Sequence, residues 1–389
     1  MQGRLYGLDW LRIGAFGLLI FYHIGMFFVG WGWHIKSATP VLWAEPLMLA
    51  LSPWRLSLLF LVSGVASAYL LAKARAGAFA RSRTARLLVP LIAGMILFVP
   101  PQPWVELTVQ HGYAADYATF WTRDYFRFDT LDGIDVPTWN HLWFVAYLWV
   151  YSLVLAVAAA TLPTSAKAVL LRAVERALGG WRLIVVPLLL LWALRMTLYP
   201  IFDETHGLTD DWYNHASYGL VFAIGLALAH SESLRRAFVA MRWLALILAG
   251  VGYAGYVAFY IAYPEGGPEP VGATLALGRF ARSCQAWGAI VALVGFALAR
   301  PIGDSAARRY LTDAIFPYYI AHQTIIVLVA FWLRPLGLGN GAMFVVLVAT
   351  TILGCALFYE LARRSGLLRP LFGLKAEKKR SQSQPAVAH

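Results

Sequence analysis

The sequence predicts an all-α polytopic membrane protein of about ten transmembrane helices with both termini in the cytoplasm. Three observations carry that expectation. Of 389 residues, 60% are hydrophobic and only 13% are charged, which is too apolar for a soluble globule. Apolar runs long enough to cross a bilayer recur along the whole chain. Lysine and arginine gather in every second connecting segment and acidic residues in the others, as expected when cationic loops stay in the cytoplasm.

Taken in order, the spans fall at about 8–29, 54–72, 87–104, 140–162, 183–202, 213–230, 243–263, 273–299, 314–334 and 341–362. Arg4, then Lys73 to Arg86, then Lys167 to Arg182, then Arg235, Arg236 and Arg242, then Arg300, Arg308 and Arg309, and finally the C-terminal tail mark one side. Glu106, Asp116, Asp124, Asp129, Asp132 and Asp135 crowd the long segment 105–139, and Asp203, Glu204, Asp210, Asp211, Glu265 and Glu269 mark the same, outer side. The net charge of +12 is therefore spent on topology and anionic lipid, not on nucleic acid. The first span is read as retained, because a short segment precedes it and no small-residue cleavage site follows. Residues 1–375 read as one integral-membrane domain and 376–389 as a polar, disordered tail; 105–139, rich in Pro, Trp and Tyr, reads as an ordered outer cap. Cys284 and Cys355 lie in apolar runs, and no Cys or His pair has metal-ligand spacing, so neither a disulfide framework nor a metal site is expected.

Several spans carry groups that membrane helices do not need. The first, LDWLRIGAFGLLIFYHIGMFFV, holds Asp9, Arg12 and His23. Eleven residues return Arg12 and His23 to nearly the same helix face, roughly 16 Å apart along the axis. Ionisable groups at such depth face a protein-lined cavity or mark chemistry; the plainer reading is a snorkelling arginine and a packed histidine. Arg195, Arg279 and Arg282 lie in the outer halves of their spans and suit a carboxylate-bearing ligand, or serve as glue to the acidic loops. His141 opens the fourth span and His322 sits in the ninth; with His23 they make three imidazoles able to handle protons. Arg81, Arg83 and Arg86, in FARSRTARLLVP at the cytoplasmic mouth of the third span, can clamp phosphates or simply orient the chain.

Leu8-Asp9-x-Leu11-Arg12 followed by ten residues and His23, LFLVSG at 59–64, Arg83-x-x-Arg86, HLWF at 141–144 and Tyr319-x-x-His322-Gln323 together resemble the integral-membrane acyltransferase type 3 family. Trp33-His34-Ile35-Lys36-Ser37-Ala38-x-Pro40-x-Leu42-Trp43, with the ending from Tyr359-Glu360 to Phe372-Gly373, is most similar to its glucan biosynthesis protein C branch. The resemblance implies an inner-membrane enzyme that moves an acyl group from a cytoplasmic acyl-CoA, as cosubstrate and with no bound cofactor, to a hydroxyl outside. In that branch the acyl group is succinyl and the acceptor a periplasmic glucan. It also implies that Arg12 and His23 are essential and that Arg83 and Arg86 serve the donor. On this reading His23 is general base or transient acyl carrier, with Arg12 on the thioester end or pantetheine arm. The competing expectation is a transporter of carbohydrate or organic anion built on the same polar groups.

Overall fold

A bilayer offers backbone N–H and C=O groups no partner outside the chain, so each apolar run closes its own hydrogen bonds as a helix. The computed structural model describes residues 5–264, 266–268, 270–300 and 302–375. The tail at 376–389, together with Arg4, Glu265 and Glu269, lies outside the described residues. The long helices are α1 (Tyr6–Met26), α2 (Arg55–Leu71), α3 (Ala76–Leu97), α4 (Pro101–Gln110), α5 (Trp143–Thr161) and α6 (Thr164–Ala177). They continue with α7 (Arg182–Thr197), α8 (Trp212–His230), α9 (Glu232–Ala262), α10 (Gly272–Ala299), α11 (Ala306–Leu333) and α12 (Asn340–Arg364). All but α4 and α6 occupy the ten expected spans, so the protein is an all-α polytopic membrane protein. Among the described residues six helices are long and apolar enough to cross a membrane, or seven if α6 and α7, which meet at 98°, form one broken span. Two of the rest fall short for a reason the sequence contains: α1 carries Asp9, Arg12 and His23, and α8 opens with Asn214, His215 and Ser217. Helix α2 is simply short, at 17 residues.

Helix α1 is central, packing on α2, α10, α11 and α12, while α2 pairs with α8, α3 with α5, α9 with α10 and α11 with α12. Helices in lipid gain little from apolar contact and associate through close packing of small residues. Gly64 of α2 and Gly225 of α8 show this: a Cβ on Gly64 would meet the Phe222 carbonyl oxygen, and one on Gly225 the Leu61 carbonyl.

The segment expected as an outer cap is ordered. Helix α4 starts at Pro101, which has no N–H to waste at a helix start. Strands β1 (Asp129–Leu131) and β2 (Ile134–Val136) then pair antiparallel around Asp132-Gly133, both at positive φ, as a two-residue hairpin turn requires. Phe120, Tyr125 and Val136 are buried with Leu107 of α4. The Tyr125 hydroxyl, 2.9 Å from both the Met95 and Thr138 carbonyl oxygens, ties the cap to the end of α3.

Candidate active site

The site is assembled where α1, α4, α5 and α11 meet at the outer end of the bundle. Thirteen residues after Trp10, the last turn of α1 presents His23, whose Nδ1 lies 2.7 Å from Nε2 of His322 on α11. The two rings are almost parallel, 2° apart, with centroids separated by 5.0 Å. His322 is fully buried, whereas His23 keeps part of its surface accessible. The other nitrogen of His322, Nδ1, is 2.7 Å from the Tyr319 carbonyl oxygen. A carbonyl can only accept, so His322 Nδ1 carries the proton and its Nε2 is the acceptor for His23 Nδ1–H. In the neutral pair this leaves the lone pair of His23 on Nε2, for which no partner exists among the described residues. Both nitrogens of His322 are thus engaged, and His23 is left with one acceptor nitrogen open.

His141 plays a different part. Its Nε2 donates to the backbone oxygens of Tyr319 and Ile320, at 3.1 and 3.2 Å, and its Nδ1 faces the Gln102 amide nitrogen at 3.4 Å. The Tyr319 hydroxyl returns a bond to the His141 carbonyl. With both ring nitrogens engaged, His141 clamps α5 to α11 beside the pair, 5.1 Å from the His322 ring centre.

An amide chain continues outward. Gln102 of α4 donates to Thr324 Oγ1 (2.8 Å) and accepts at Oε1 from Asn140 and Gln323, each at 3.0 Å. Gln323 Nε2 also reaches His34 Nε2 at 2.9 Å, and His34 Nδ1 meets the Glu106 carboxylate at 2.5 Å. Donors and acceptors match along the whole path, from Glu106 through His34, Gln323 and Gln102 to His141. His34 is itself held from the loop after α1: Gln110 bonds the Trp33 and His34 carbonyls, and Lys36 Nζ caps the end of α1 at the Met26 (3.1 Å), Val29 and Trp31 oxygens.

At the other end of α1, Arg12 stands close enough to Arg83 for each to feel the other's charge, with Arg86 also near. Arg83 Nε bonds Ser152 Oγ (3.1 Å) on α5, and Arg86 reaches the Gly373 carbonyl (3.3 Å). Arg81 is exposed on the same end. Asp9 is engaged by Arg308 at 2.6 Å, an ion pair to α11 that the sequence did not pair. The three sequence-expected arginines of the outer half gather separately, around α7, α8 and α10. Arg195 bonds Glu204 (3.3 Å) and Tyr213 (2.9 Å), and Arg279 bonds the Arg195 carbonyl at 3.0 Å. Arg282 lines a cavity of about 40 Å³ with Glu204, Asn214 and Ser217. Burial works to raise the Glu204 carboxyl, but Arg282 and Arg195 outweigh it and hold the group below its usual range. A larger apolar cavity of about 230 Å³ opens between α1, α11 and α12, with Phe16, Ile20, Tyr319 and Cys355 in its wall and His322 at its edge.

Sequence reasoning brought Arg12 with Arg83 and Arg86, and His23 with His322 and His141, and each set is together. It missed Gln102, Glu106, Asn140 and Thr324 as neighbours of these histidines; Arg55, which the sequence marks as an ionisable group at the outer end of its span without a role of its own, is treated below. The only signal for them was polarity at the edges of apolar runs.

The sequence profile of the acyltransferase domain family matches residues 5–360, so this multi-pass membrane protein belongs to the acyltransferase type 3 family. It is also similar to the glucans biosynthesis protein C of Escherichia coli O6:K15:H31 (strain 536 / UPEC), 26% identical over 148 residues. That match covers 37% of this chain and 36% of the relative, about a third of each. No solved structure matches the chain significantly.

Proposed function

We propose that the protein is an inner-membrane O-acyltransferase that takes an acyl group, succinyl in its native reaction, from cytoplasmic acyl-CoA and delivers it to a hydroxyl of a periplasmic glucan or related carbohydrate. The observation that carries this reading is the His23–His322–Tyr319 carbonyl relay, with an unengaged Nε2 on a partly accessible His23. It has the logic of a nucleophile-activating triad, with a neutral imidazole backed by a backbone carbonyl in place of the usual carboxylate.

In the proposed reaction His23 Nε2 accepts the proton of the acceptor hydroxyl as its oxygen attacks the thioester carbonyl carbon. The new C–O bond forms, the C–S bond breaks, and the proton passes from His23 to the leaving thiolate. His322 accepts from His23 Nδ1–H throughout and so stabilises the transient imidazolium. Arg12, Arg83 and Arg86, with Arg81 at the rim, hold the donor phosphates. The roughly 16 Å from Arg12 to His23 along α1 is the reach that a pantetheine arm has to cover, and the apolar cavity beside His322 gives the arm or acyl chain an unpolar wall. The His34–Glu106 end faces the acceptor. A succinyl carboxylate is assigned to Arg282, with Arg195 and Arg279 bracing it.

The test uses purified protein in lipid nanodiscs with radiolabelled succinyl-CoA and acetyl-CoA and a mixture of periplasmic glucans. Label transfer to glucan from succinyl-CoA in preference to acetyl-CoA is the expected result. Transfer from acetyl-CoA alone would remove the succinyl assignment, and absence of both transfer and thioester consumption in folded protein would favour a transporter.

A further inference from the structure

Arg55 opens α2 and is 4% exposed, yet its Nε and Nη1 meet no hydrogen-bond partner and no carboxylate faces it among the described residues. Its guanidinium lies over the Tyr22 ring, 3.7 Å from the ring centre. Tyr22 is the chain neighbour of His23, with ring centroids 6.1 Å apart, so the cation stands one aromatic ring from the presented base. The other arginine that is fully buried among the described residues, Arg308, is neutralised by Asp9 and Asp304, and half-buried Arg195 pairs with Glu204. A buried guanidinium left with open N–H groups is costly to the fold, and such groups in membrane proteins face something that arrives during function.

Resting on the acyl-CoA reading above, we infer that Arg55 is a catalytic residue: its open N–H groups receive the carbonyl oxygen of the acyl group while that oxygen carries negative charge in the tetrahedral intermediate. When the acceptor oxygen bonds to the carbonyl carbon, the π electrons move onto the carbonyl oxygen beside Arg55. They return as the C–S bond breaks and the thiolate takes the proton from His23. A preorganised donor aimed at developing charge in a dry site is the commonest large contribution to catalysis of acyl transfer. Here the donor is charged and is held over the Tyr22 ring. Any acyl group has this oxygen, so Arg55 acts on the reaction and not on the choice of donor; the free carboxylate of a succinyl group is left to Arg282.

The experiment measures label transfer by the full chain in nanodiscs from acetyl-CoA and from succinyl-CoA, together with thermal unfolding, for wild type, Arg55→Met and Arg55→Lys. The expected result is a fall in kcat of about 10²–10³-fold in Arg55→Met, equal for both donors and with donor KM little changed, and partial recovery in Arg55→Lys. Because the methionine removes an unneutralised buried charge, the Tm of Arg55→Met is expected to equal or exceed that of wild type. Undiminished transfer in Arg55→Met, a loss confined to succinyl-CoA, or a lowered Tm that accounts for the loss would each overturn the assignment. A wild-type protein that transfers from neither donor would overturn the acyl-CoA reading and this inference with it.

Discussion

His23 and His322 are 299 residues apart in the chain and 2.7 Å apart in space, and what separates their roles is which nitrogen each has left. His322 spends Nδ1 on the Tyr319 carbonyl and Nε2 on its partner; His23 spends only Nδ1. His141 spends both. Residue type alone made the three equivalent in the sequence, because the tautomer is fixed by backbone oxygens that no spacing reveals. The relay predicts strong non-additivity. His322→Ala lowers kcat by about 10²–10⁴-fold while leaving donor KM near wild type, and the His23→Ala/His322→Ala double variant is no slower than His23→Ala alone, since the two act as one unit. Steady-state label transfer from acyl-CoA measures this; fully additive losses would mean that the histidines act separately.

At the scale of elements, α1 delivers both ends of the site from one rigid rod, and this was legible. A helix of known rise and the eleven-residue interval place Arg12 and His23 on one stripe, and the structure keeps Arg12 with Arg83 and His23 with His322. Helix α4 was not legible as such. Residues 105–139 were expected to be wholly outer cap, and 101–104 the end of a span, but a break after Leu97 gives a separate helix that carries Gln102 and Glu106 back onto α11 and His34. The Asp132-Gly133 pair is the sequence signal of the β1–β2 hairpin within the cap. In this cap the Asp124 carboxylate accepts from Arg123 and from the Tyr113 hydroxyl, which hold it down to about 2 from its ordinary 3.8. A folded-state pKa below the unfolded one means that the ionised group stabilises the cap in full above about pH 4, and that this contribution is lost as the pH falls through the folded value. Pepsin cleavage within 113–136 is therefore expected to accelerate between pH 4 and pH 2 in the wild type. Asp124→Asn should already be cleaved at the faster rate at pH 4. Superimposable profiles of the two proteins would remove the carboxylate from the stability of the cap.

For the whole molecule, hydropathy and charge alternation located ten helices because a bilayer permits little else, and the ends of those helices hold the interesting chemistry at two depths. Arg12, Arg83 and Arg86 cluster at the end the charge pattern assigns to the cytoplasm; the three histidines, the amides and Glu106 cluster at the other. Helix pairs come together at points that hydropathy cannot see, such as the glycine crossing of α2 on α8. The same blindness left Arg55 without a role: in sequence it is an ionisable group at the outer end of a span, and in the structure it is a buried cation over Tyr22, next to His23. The central claim is that His23 activates a hydroxyl for acyl transfer, and the most direct measurement is single-turnover transfer from radiolabelled acyl-CoA to glucan in nanodiscs by wild type and His23→Ala, with folding checked by thermal unfolding. A loss of about 10²–10⁴-fold in the chemical step at unchanged Tm is the expected result. Transfer by folded His23→Ala at the wild-type rate would contradict it.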